Sequence, residues 1–398
     1  MKILHLFPYL PSPPTFGGAL RVYHILKHLS QNHEVTVGGF CDFGDMELFK
    51  EDFPGVDGHL FVQRRRVNYR RLMQFCSLFT PHSYWYNWGQ SPKLESKVRA
   101  RIAEEDFDII LGEFASMGHF DLETDAIRIM DAHNIEYDNF RRMSTLEWSG
   151  IRKWFYERES EKCYSEEVKA FKRHDAIFAT SERDKAIIEK NAPGIPKFVI
   201  PNGVDTNFFS ASETEIEPFS MVFTGALSYV PNYDGMIYFL DEIFPIIQKV
   251  VPQAKVYIVG SKPPATLKKY ESNSVTVTGF VDDVRPYVDQ SSVFVVPLRM
   301  GSGTRLKVVE ALSMKKPVVS TSIGCEGIDV NDNEHLMVRD EPAAFAEAVI
   351  NLFKDSKTRN KLVENGYQLV KQKYDWQVIG RSIDNAFQEL TSNKNIMV

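Results

Sequence analysis

The chain has 398 residues, a formal net charge of −6 and 43% hydrophobic residues. This length is too great for one ordinary core and predicts two domains of roughly 150 to 200 residues each. The acidic balance argues against a nucleic-acid-binding protein, which needs a basic face, and the four scattered cysteines predict reduced thiols rather than a zinc site.

The N-terminal segment MKILHLFPYLPSPP contains an apolar run that Pro8 interrupts. A signal peptide needs a longer apolar region, and no stretch of the chain approaches the ~18 apolar residues of a membrane span. We therefore expect a cytoplasmic protein.

Strands and helices alternate along the first half of the chain, which predicts a doubly wound parallel sheet. In order, the predicted elements are a strand at 2–7, a helix at 18–30, and strands at 34–39, 107–113, 127–131, 175–180 and 197–200. Pro-Asn-Gly at Pro201 breaks regular structure, so we place the boundary there, between a domain of residues 1–200 and one of residues 201–375.

The second half repeats the alternation and predicts another doubly wound parallel sheet. Its predicted strands lie at 220–225, 255–260, 275–278, 293–297, 317–321 and 335–338. A last helix is predicted around 376–390, within a C-terminal segment of residues 376–398.

The segment VFVVPLRMGSGTRLKVVEALSMKKPVVSTSIGCEG, residues 293–327, encodes a strand, a glycine turn, a helix and a strand. Gly301 and Gly303 permit backbone conformations that other residues resist, and residues 304–312 are predicted to be helical. A helix N-terminus after a glycine turn presents free N–H groups, for which a phosphate is a natural ligand.

Charged side chains accompany this turn. Arg305 and Lys307 add full positive charges beside the helix N-terminus, and Glu310 lies about 60° from Lys307 on a helical wheel. Together they suit a diphosphate with an attached ribose.

These residues resemble the donor site of retaining glycosyltransferases of the two-Rossmann-domain (GT-B) type, family 4, also known as group 1. The likeness extends through PNGVD at 201–205, FTGALSYVPN at 223–232 and VTGFVDDVRPYV at 277–288. It implies two Rossmann-like domains facing a central cleft, with the last helix packing back on the first domain. It also implies a retaining enzyme of the hexosyltransferase type, which moves a sugar from a nucleoside-diphosphate sugar to a hydroxyl of a glycan, glycolipid or small glycoside.

The chain departs from the commonest pattern of that family in two places. Counting back from Glu310, the first glutamate of the family's pair falls on Ser302, so ribose recognition carries over to Glu310 and sugar-ring recognition does not. The usual Arg and Lys after the first strand of the second domain are missing, because Gly225 is followed by Ala-Leu-Ser. We infer that Arg305 and Lys307 supply the charge that neutralises the diphosphate.

The expected donor-binding residues come from both halves of the chain. They are Gly17, Gly18, Asn232, Phe280, Val281, Gly301, Ser302, Gly303, Thr304, Arg305, Lys307 and Glu310. Alternatives stay open for some of them: Gly17 and Gly18 start a helix in either case, and Asn232 equally suits a turn or cap before a helix near Tyr233. The resemblance assigns the segment at Phe280 and Val281 a backbone contact with the base, which leaves uracil, guanine and adenine open.

Two catalytic candidates lie at strand ends in the first half, where ligands bind in open α/β sheets. Glu113 ends one predicted strand, at a position where many relatives carry a histidine near the transferred sugar, and His133 follows the next strand. A lone histidine is more often structural, and the neighbouring carboxylates Asp131, Glu136 and Asp138 are alternative proton acceptors for the acceptor hydroxyl.

The segment from Arg64 to Trp88 combines five arginines with seven aromatic residues. Arginine beside Trp and Tyr suits a peripheral contact with a membrane surface, which would make the acceptor a lipid-linked sugar. The alternative is a solvated charged turn followed by a segment that packs in the core.

The expected donor-binding residues include no paired-aspartate (Asp-x-Asp) motif suited to bridge a divalent ion to phosphates, so we expect a metal-independent enzyme that needs no cofactor beyond the sugar nucleotide. Two rival functions keep the same fold: a nucleotide-sugar epimerase or hydrolase, and a non-catalytic nucleotide-sugar-binding protein. A nicotinamide oxidoreductase is disfavoured because no G-x-G-x-x-G follows the first strand.

Overall fold

The computed structural model describes residues 1–14, 16–42, 46–63, 70–120, 122–146, 149–301 and 303–397. The chain divides into two compact units, the first formed by Met1–Pro201 with Gly380–Val398 and the second by Asn202–Ile379. Each unit contains one wholly parallel sheet, as the alternation of strands and helices predicts.

The sheet of the first unit has the strand order β3-β2-β1-β4-β5-β6-β7. Its strands are β1 Lys2–Phe7, β2 Glu34–Cys41, β3 Asp57–Gln63, β4 Ile109–Glu113, β5 Ile127–Ala132, β6 Ala176–Ala179 and β7 Lys197–Val199. Strand β3 is missing from the sequence-based prediction, because polar residues at its start and end interrupt its apolar run. It lies at the edge of the sheet, where such residues are tolerated.

Helices connect the strands of the first unit. They are α1 Gly17–Asn32, α2 Met46–Asp52, α3 Arg70–Ser77, α4 Tyr84–Gly89, α5 Pro92–Glu104, α6 Glu136–Leu146, α7 Gly150–Lys172 and α8 Glu182–Asn191. Serine hydroxyls cap three of them, since Ser83, Ser91 and Ser181 accept hydrogen bonds from backbone N–H groups in the first turns of α4, α5 and α8.

The strand order of the first unit reverses at β1, which pairs with β2 on one side and β4 on the other. Ligands bind in such sheets at the carboxyl ends of the strands beside the reversal. The loop that begins at Pro8 and the residues Phe114 and His133 follow β1, β4 and β5 at this edge.

The sheet of the second unit has the order β10-β9-β8-β11-β12-β13 and reverses at β8. Its strands are β8 Glu217–Thr224, β9 Lys255–Val259, β10 Val275–Gly279, β11 Ser291–Val296, β12 Val318–Ser320 and β13 Met337–Val338. Its helices are α9 Val230–Tyr238, α10 Phe244–Val250, α11 Ala265–Lys268, α12 Arg285–Gln290, α13 Leu306–Ser313, α14 Pro342–Lys354 and α15 Ser356–Leu369, with π-helical turns at Phe239–Ile243 and Val370–Tyr374. Buried β-branched and aromatic residues from both faces of this sheet form one continuous core.

The last helix, α16 Trp376–Met397, contributes its residues from Gly380 onward to the first unit. There Asp384 lies 3.0 Å from the Nε2 atoms of both His28 and His33, and the ring of Phe387 stacks on Phe178. No helix of the described residues is long and apolar enough to cross a membrane. The four cysteines are free thiols, and all except Cys76 are buried.

Candidate functional site

The reversal point of the second unit holds the first candidate site, at Gly225 immediately after β8. The φ angle of Gly225 is +150°, and a Cβ atom there would lie 2.7 Å from Nζ of Lys307 and 2.8 Å from Nδ2 of Asn232. Glycine therefore makes room for these two polar side chains directly above the strand end. This chain lacks the Arg and Lys that the family resemblance leads us to expect after β8. Lys307 of α13 lies in this space.

Asn232 positions Lys307. Its Nδ2 donates to the carbonyl of Ala226 at 2.9 Å, and its Oδ1 accepts a hydrogen bond from Nζ of Lys307 at 2.8 Å. The interpretation of Asn232 as a cap before a helix near Tyr233 is wrong, because α9 begins at Val230 and Asn232 lies in its first turn. The early start follows from Pro231, which favours the first helical turn.

Burial shifts the pKa values of the two ionisable side chains near Gly225, Lys307 and Glu310. Desolvation, together with the positive charge of Arg305, lowers the pKa of Lys307 to about 7. Desolvation also raises the pKa of Glu310 to about 7, although Lys307 opposes this shift. The ammonium group lies over the ring of Phe223, 3.9 Å from its centroid. An anionic ligand would favour the charged form of this lysine and relieve the cost of its burial.

The glycine turn surrounds a buried arginine. Arg305 is only 6% exposed, and its Nε donates to the carbonyl of Ile323 at 3.2 Å. Gly301 has a φ of +120°, and a Cβ there would lie 3.0 Å from the guanidinium. Helix α13 begins at Leu306, so the prediction of helix from residue 304 is wrong: the ψ of Arg305, 76°, keeps it outside the helix as the N-cap. Arg305 therefore packs against the glycine turn at Gly301, whereas Lys307 is the cation that lies beside Gly225.

The other residues predicted to bind the donor lie in two separate places, the glycine turn and the segment after β10. Gly303 and Thr304 lie in the turn, and the buried Thr304 hydroxyl has no hydrogen-bond partner among the described residues. Phe280 is 75% exposed and Val281 packs on the core, both after β10, which β9 separates from β8. Ser302 lies outside the described residues.

A second candidate site lies at the reversal point of the first unit, where Glu113 is fully buried between two histidines. Its Oε1 lies 2.5 Å from Nε2 of His5, and its Oε2 lies 2.5 Å from Nε2 of His133. Burial alone would raise the pKa of Glu113, but the hydrogen bonds from His133 and His5 outweigh it and hold that pKa well below its usual range. The structure thus brings together the two predicted catalytic residues.

Arg21 of α1 completes this buried group. Its Nε and one terminal nitrogen each donate to a carboxylate oxygen of Asp131 at 2.8 Å, and its other terminal nitrogen donates to the carbonyl of Pro201 at 2.9 Å. Asp131 also lies 3.7 Å from Nε2 of His133. Because Asp131 is held by Arg21, it is a less suitable proton acceptor than His133.

Gly17 and Gly18 start α1 beside this group, as predicted. A Cβ on Gly18 would lie 2.7 Å from the hydroxyl of Tyr9 and 3.2 Å from the ring of Phe114. The Tyr9 hydroxyl is buried without a hydrogen-bond partner among the described residues. Gly18 therefore allows two aromatic rings to pack against the helix start.

Glu113, Asp131 and His133 are the only His, Cys, Asp and Glu side chains of the described residues that group closely enough to hold a metal ion, with one ligand atom of each within 4.8 Å of the others. All four carboxylate oxygens of this group already accept hydrogen bonds, from Arg21, His5 and His133. A divalent ion here would face the guanidinium of Arg21, so the group suits proton exchange better than metal binding.

Two family models match the chain. The model for Glycosyltransferase Family 4 matches residues 17–208, and the model for Glycosyl transferases group 1 matches residues 218–355. The chain belongs to the family 4, group 1 glycosyltransferases. The first match includes Arg21, Glu113, Asp131 and His133, and the second includes Gly225, Asn232 and Lys307.

The chain is also similar to individual proteins. The glycosyltransferase is 24% identical over 403 residues to an uncharacterized 44.6 kDa protein in the cps region of Klebsiella pneumoniae, covering 96% of this chain and 98% of that protein. It is 26% identical over 222 residues to a phosphatidyl-myo-inositol mannosyltransferase of Mycobacterium leprae, covering 53% of this chain and 58% of that protein. The structure of Anabaena HepE in complex with UDP-glucose has a TM-score of 0.68 and 17% identity, covering 98% of this chain and 100% of that one. This likeness confirms the predicted GT-B fold class.

The sequence-based list of site residues omits His5 and Arg21 of the glycosyltransferase. His5 interrupts the apolar strand KILHLF, and Arg21 lies among the buried residues of α1. A polar residue at an otherwise buried position of a strand or helix was the available signal, because such a residue needs a buried partner.

The carboxylates that follow His133 differ in their partners. Asp138 forms ion pairs with Arg141, Arg142 and Arg183, so its charge is already neutralised. Burial raises the pKa of Glu136 to about 7, and burial with the charge of Glu136 raises the pKa of Glu167 to about 8. Both oxygens of Glu167 accept hydrogen bonds from the first backbone N–H groups of α6.

We expect the free energy of unfolding to fall as the pH rises from about 4.5 to 8. Both carboxyls have a folded-state pKa above the unfolded value of 4.5, so their contribution is fully present below pH 4.5, declines as the pH rises, and is lost once the pH has passed 7 to 8. The slope is up to about 1.4 kcal/mol per pH unit for each group. Urea unfolding at several pH values should show this slope and its reduction in Glu136→Gln, whereas Glu182→Gln, at an exposed position, should behave as wild type. A flat wild-type profile would contradict the prediction.

Proposed function

We propose that the protein is a retaining glycosyltransferase of the hexosyltransferase type that transfers a sugar from a nucleoside-diphosphate sugar to a hydroxyl of a glycan, glycolipid or small glycoside. The observation that carries this proposal is the position of Lys307. Its ammonium group lies at the carboxyl end of β8, where the sheet order reverses and where Gly225 leaves space beside it.

The chemistry of the leaving group fits this site. Negative charge develops on the diphosphate as the bond to the anomeric carbon breaks, and a fixed cation lowers the barrier when it interacts more strongly with that developing charge. Lys307 is held in place by Asn232, and Glu310 on the same helix is the proposed partner of the ribose hydroxyls. Burial strengthens these interactions because it reduces the local dielectric screening.

Relatives support the donor class. HepE of Anabaena, which shares the fold, has been crystallised with UDP-glucose, and the Mycobacterium leprae relative is named as a mannosyltransferase. The base and the sugar stay open for this chain, because the proposed contacts at Phe280 and Val281 involve the backbone.

A thermal-shift screen with UDP-, GDP- and ADP-sugars tests the donor assignment. A ligand that binds the folded state raises the melting temperature by mass action, so one nucleotide class should give a concentration-dependent rise. Release of nucleoside diphosphate that depends on an added acceptor would support transfer. Release without acceptor would indicate an epimerase or hydrolase, binding without turnover would indicate a binding protein, and no shift with any nucleotide would refute the donor site.

We propose that transfer needs neither a metal ion nor a further cofactor. Lys307 supplies the positive charge that a divalent ion provides in metal-dependent enzymes. Activity should change by no more than about twofold when EDTA is added or when magnesium or manganese is restored. Loss of turnover with EDTA and its recovery with one of these metals would contradict this proposal.

We also propose that α3 and the turn after it contact a membrane that carries a lipid-linked acceptor. Phe75 and Phe79 are 60% and 77% exposed and pack edge to face, whereas Tyr84 is buried. Only part of the segment therefore packs in the core. Arg64, Arg65 and Arg66 lie outside the described residues.

Vesicle sedimentation tests this surface with phosphatidylcholine vesicles, with and without phosphatidylglycerol. We expect binding to the anionic vesicles and its loss in the double variant Phe75→Ser/Phe79→Ser. Ile216→Ser, which replaces an exposed apolar residue of the second unit, is the control and should still bind. Equal binding by all three proteins would contradict the assigned surface.

A further inference from the structure

The group around Glu113 contains three side chains in series: His5, Glu113 and His133. The two histidines contact different oxygens of one carboxylate, each through Nε2 and each at 2.5 Å. All three side chains are at most 4% exposed. Because one carboxylate contacts both imidazoles, its ionisation determines which ring nitrogen of each histidine carries a proton.

The protons follow from the ionisation of Glu113. A carboxylate that stays ionised only accepts hydrogen bonds, so both histidines must donate their Nε2–H to it. The unshared electron pair of a neutral imidazole then lies on Nδ1. The Nδ1 of His5 is buried without a partner among the described residues, so a proton there would be unsatisfied, whereas His133 keeps 4% exposure.

The charges of the side chains around Glu113 can be balanced by one additional proton. Glu113 and Asp131 are the ionisable groups in contact with His133, and His5 and Arg21 contact those two carboxylates in turn. Tyr9 interacts electrostatically with Glu113, Asp131 and Glu136. Arg21 neutralises Asp131 through two hydrogen bonds, and the remaining charge of Glu113 is balanced when His133 takes up a proton.

Packing fixes the ring of His133. The ring of Phe114 stacks on it at a centroid distance of 3.7 Å, and Phe114 adopts a φ of +64°, which non-glycine residues rarely do. Strained backbone of this kind occurs mostly at functional sites, where the surrounding structure maintains it.

We propose that His133 accepts the proton of the acceptor hydroxyl at Nδ1 and that His5, acting through Glu113, is the positioning residue for this step. The inference rests on the proposed function. The acceptor oxygen forms its bond to the anomeric carbon while the bond from that carbon to the diphosphate oxygen breaks. The hydroxyl proton moves to Nδ1 of His133, and the electron pair of the broken bond leaves with the diphosphate.

His5 has a specific part in this arrangement. It donates to the oxygen of Glu113 that His133 does not use, so the carboxylate cannot rotate or take the proton of His133. Without His5, the carboxylate would interact more strongly with a protonated His133 and would hold the proton there to a higher pH.

Nitrogen-15 NMR of histidine-labelled wild-type protein tests the proton arrangement without any substrate. Comparison with spectra of His5→Gln and His133→Gln assigns the two signals. We expect both rings to be the Nε2–H form at pH 8. A proton on Nδ1 of neutral His133 would overturn the proposal, whatever the protein transfers.

The pH dependence of kcat tests the role of His5. His133→Gln should lower kcat by about 10²- to 10⁴-fold. His5→Leu should lower kcat and move the midpoint of the acidic limb up by about one pH unit. His5→Gln, whose amide still donates to Glu113, should restore the wild-type midpoint.

The role of His5 would be overturned if His5→Leu kept the wild-type midpoint of the acidic limb of kcat while the donor raised its melting temperature as much as that of the wild type. His5 would then be a structural residue only. This result is distinct from failure of the proposed function, in which the wild-type protein binds no sugar nucleotide at all. If His5→Leu does not fold, the comparison of His5→Gln with His5→Asn, whose shorter amide does not reach Glu113, provides the same test.

Discussion

Replacement of Lys307 by alanine is expected to lower kcat/KM for the sugar-nucleotide donor by about 10²- to 10³-fold, because the cation beside the leaving diphosphate is lost. The fold should persist, since the lysine is half-buried and its removal relieves an unfavourable burial of charge. Steady-state kinetics with the preferred donor, together with the melting temperature, provide the measurement. Glu310→Ala should also impair donor use without unfolding the protein.

The pH dependence of donor binding gives a second measure of Lys307. The free protein has a Lys307 pKa of about 7, so the cation is present below that pH and is lost above it. Donor affinity in wild type should therefore fall as the pH rises from 7 to 9, and this fall should be smaller in Lys307→Ala. Lys315→Ala, at an exposed position near the end of the same helix, is the control. Wild-type kinetics in Lys307→Ala would refute the donor-site assignment.

Replacement of Arg21 by methionine is expected to destabilise the first unit by about 3–5 kcal/mol, because it leaves Asp131 buried without its partner. Asp131 is fully buried, and both of its oxygens accept hydrogen bonds from Arg21. Urea unfolding monitored by circular dichroism gives the change in unfolding free energy.

Two controls separate the ion pair from other effects of this substitution. Lys27→Met removes an exposed cation from the same helix and should change the stability by less than about 0.5 kcal/mol. The double variant Arg21→Met/Asp131→Asn should recover part of the loss, because it removes the unpaired charge. A loss in Arg21→Met no larger than that in Lys27→Met would show that the pair contributes little.

The alternation of strands and glycine-marked turns was sufficient to predict both parallel sheets. Strand β1 and its bounds, Lys2–Phe7, follow directly from an apolar run that ends at a proline. Strand β3 does not, because an edge strand carries polar residues and lacks the continuous apolar run of a buried strand.

The candidate sites were predictable in part. The local motif from Gly301 to Glu310 contains the charged residues of the donor site, because a glycine turn and the helix that follows it are adjacent in sequence. The contact of Lys307 with Asn232 and the contacts of His5 and Arg21 join residues from distant segments. Their side-chain directions depend on packing between helix and sheet, which a local pattern does not specify.

The return of α16 to the first unit has a consequence for biosynthesis. Asp384 and Phe387 cover His28, His33 and Phe178, which belong to segments made much earlier. A nascent chain on the ribosome can therefore complete its second folding unit first, while the earlier-made one waits, with part of its apolar surface uncovered, for the residues after Ile379 to emerge. A fragment ending at Pro201 would keep that surface open to solvent and would be prone to aggregate.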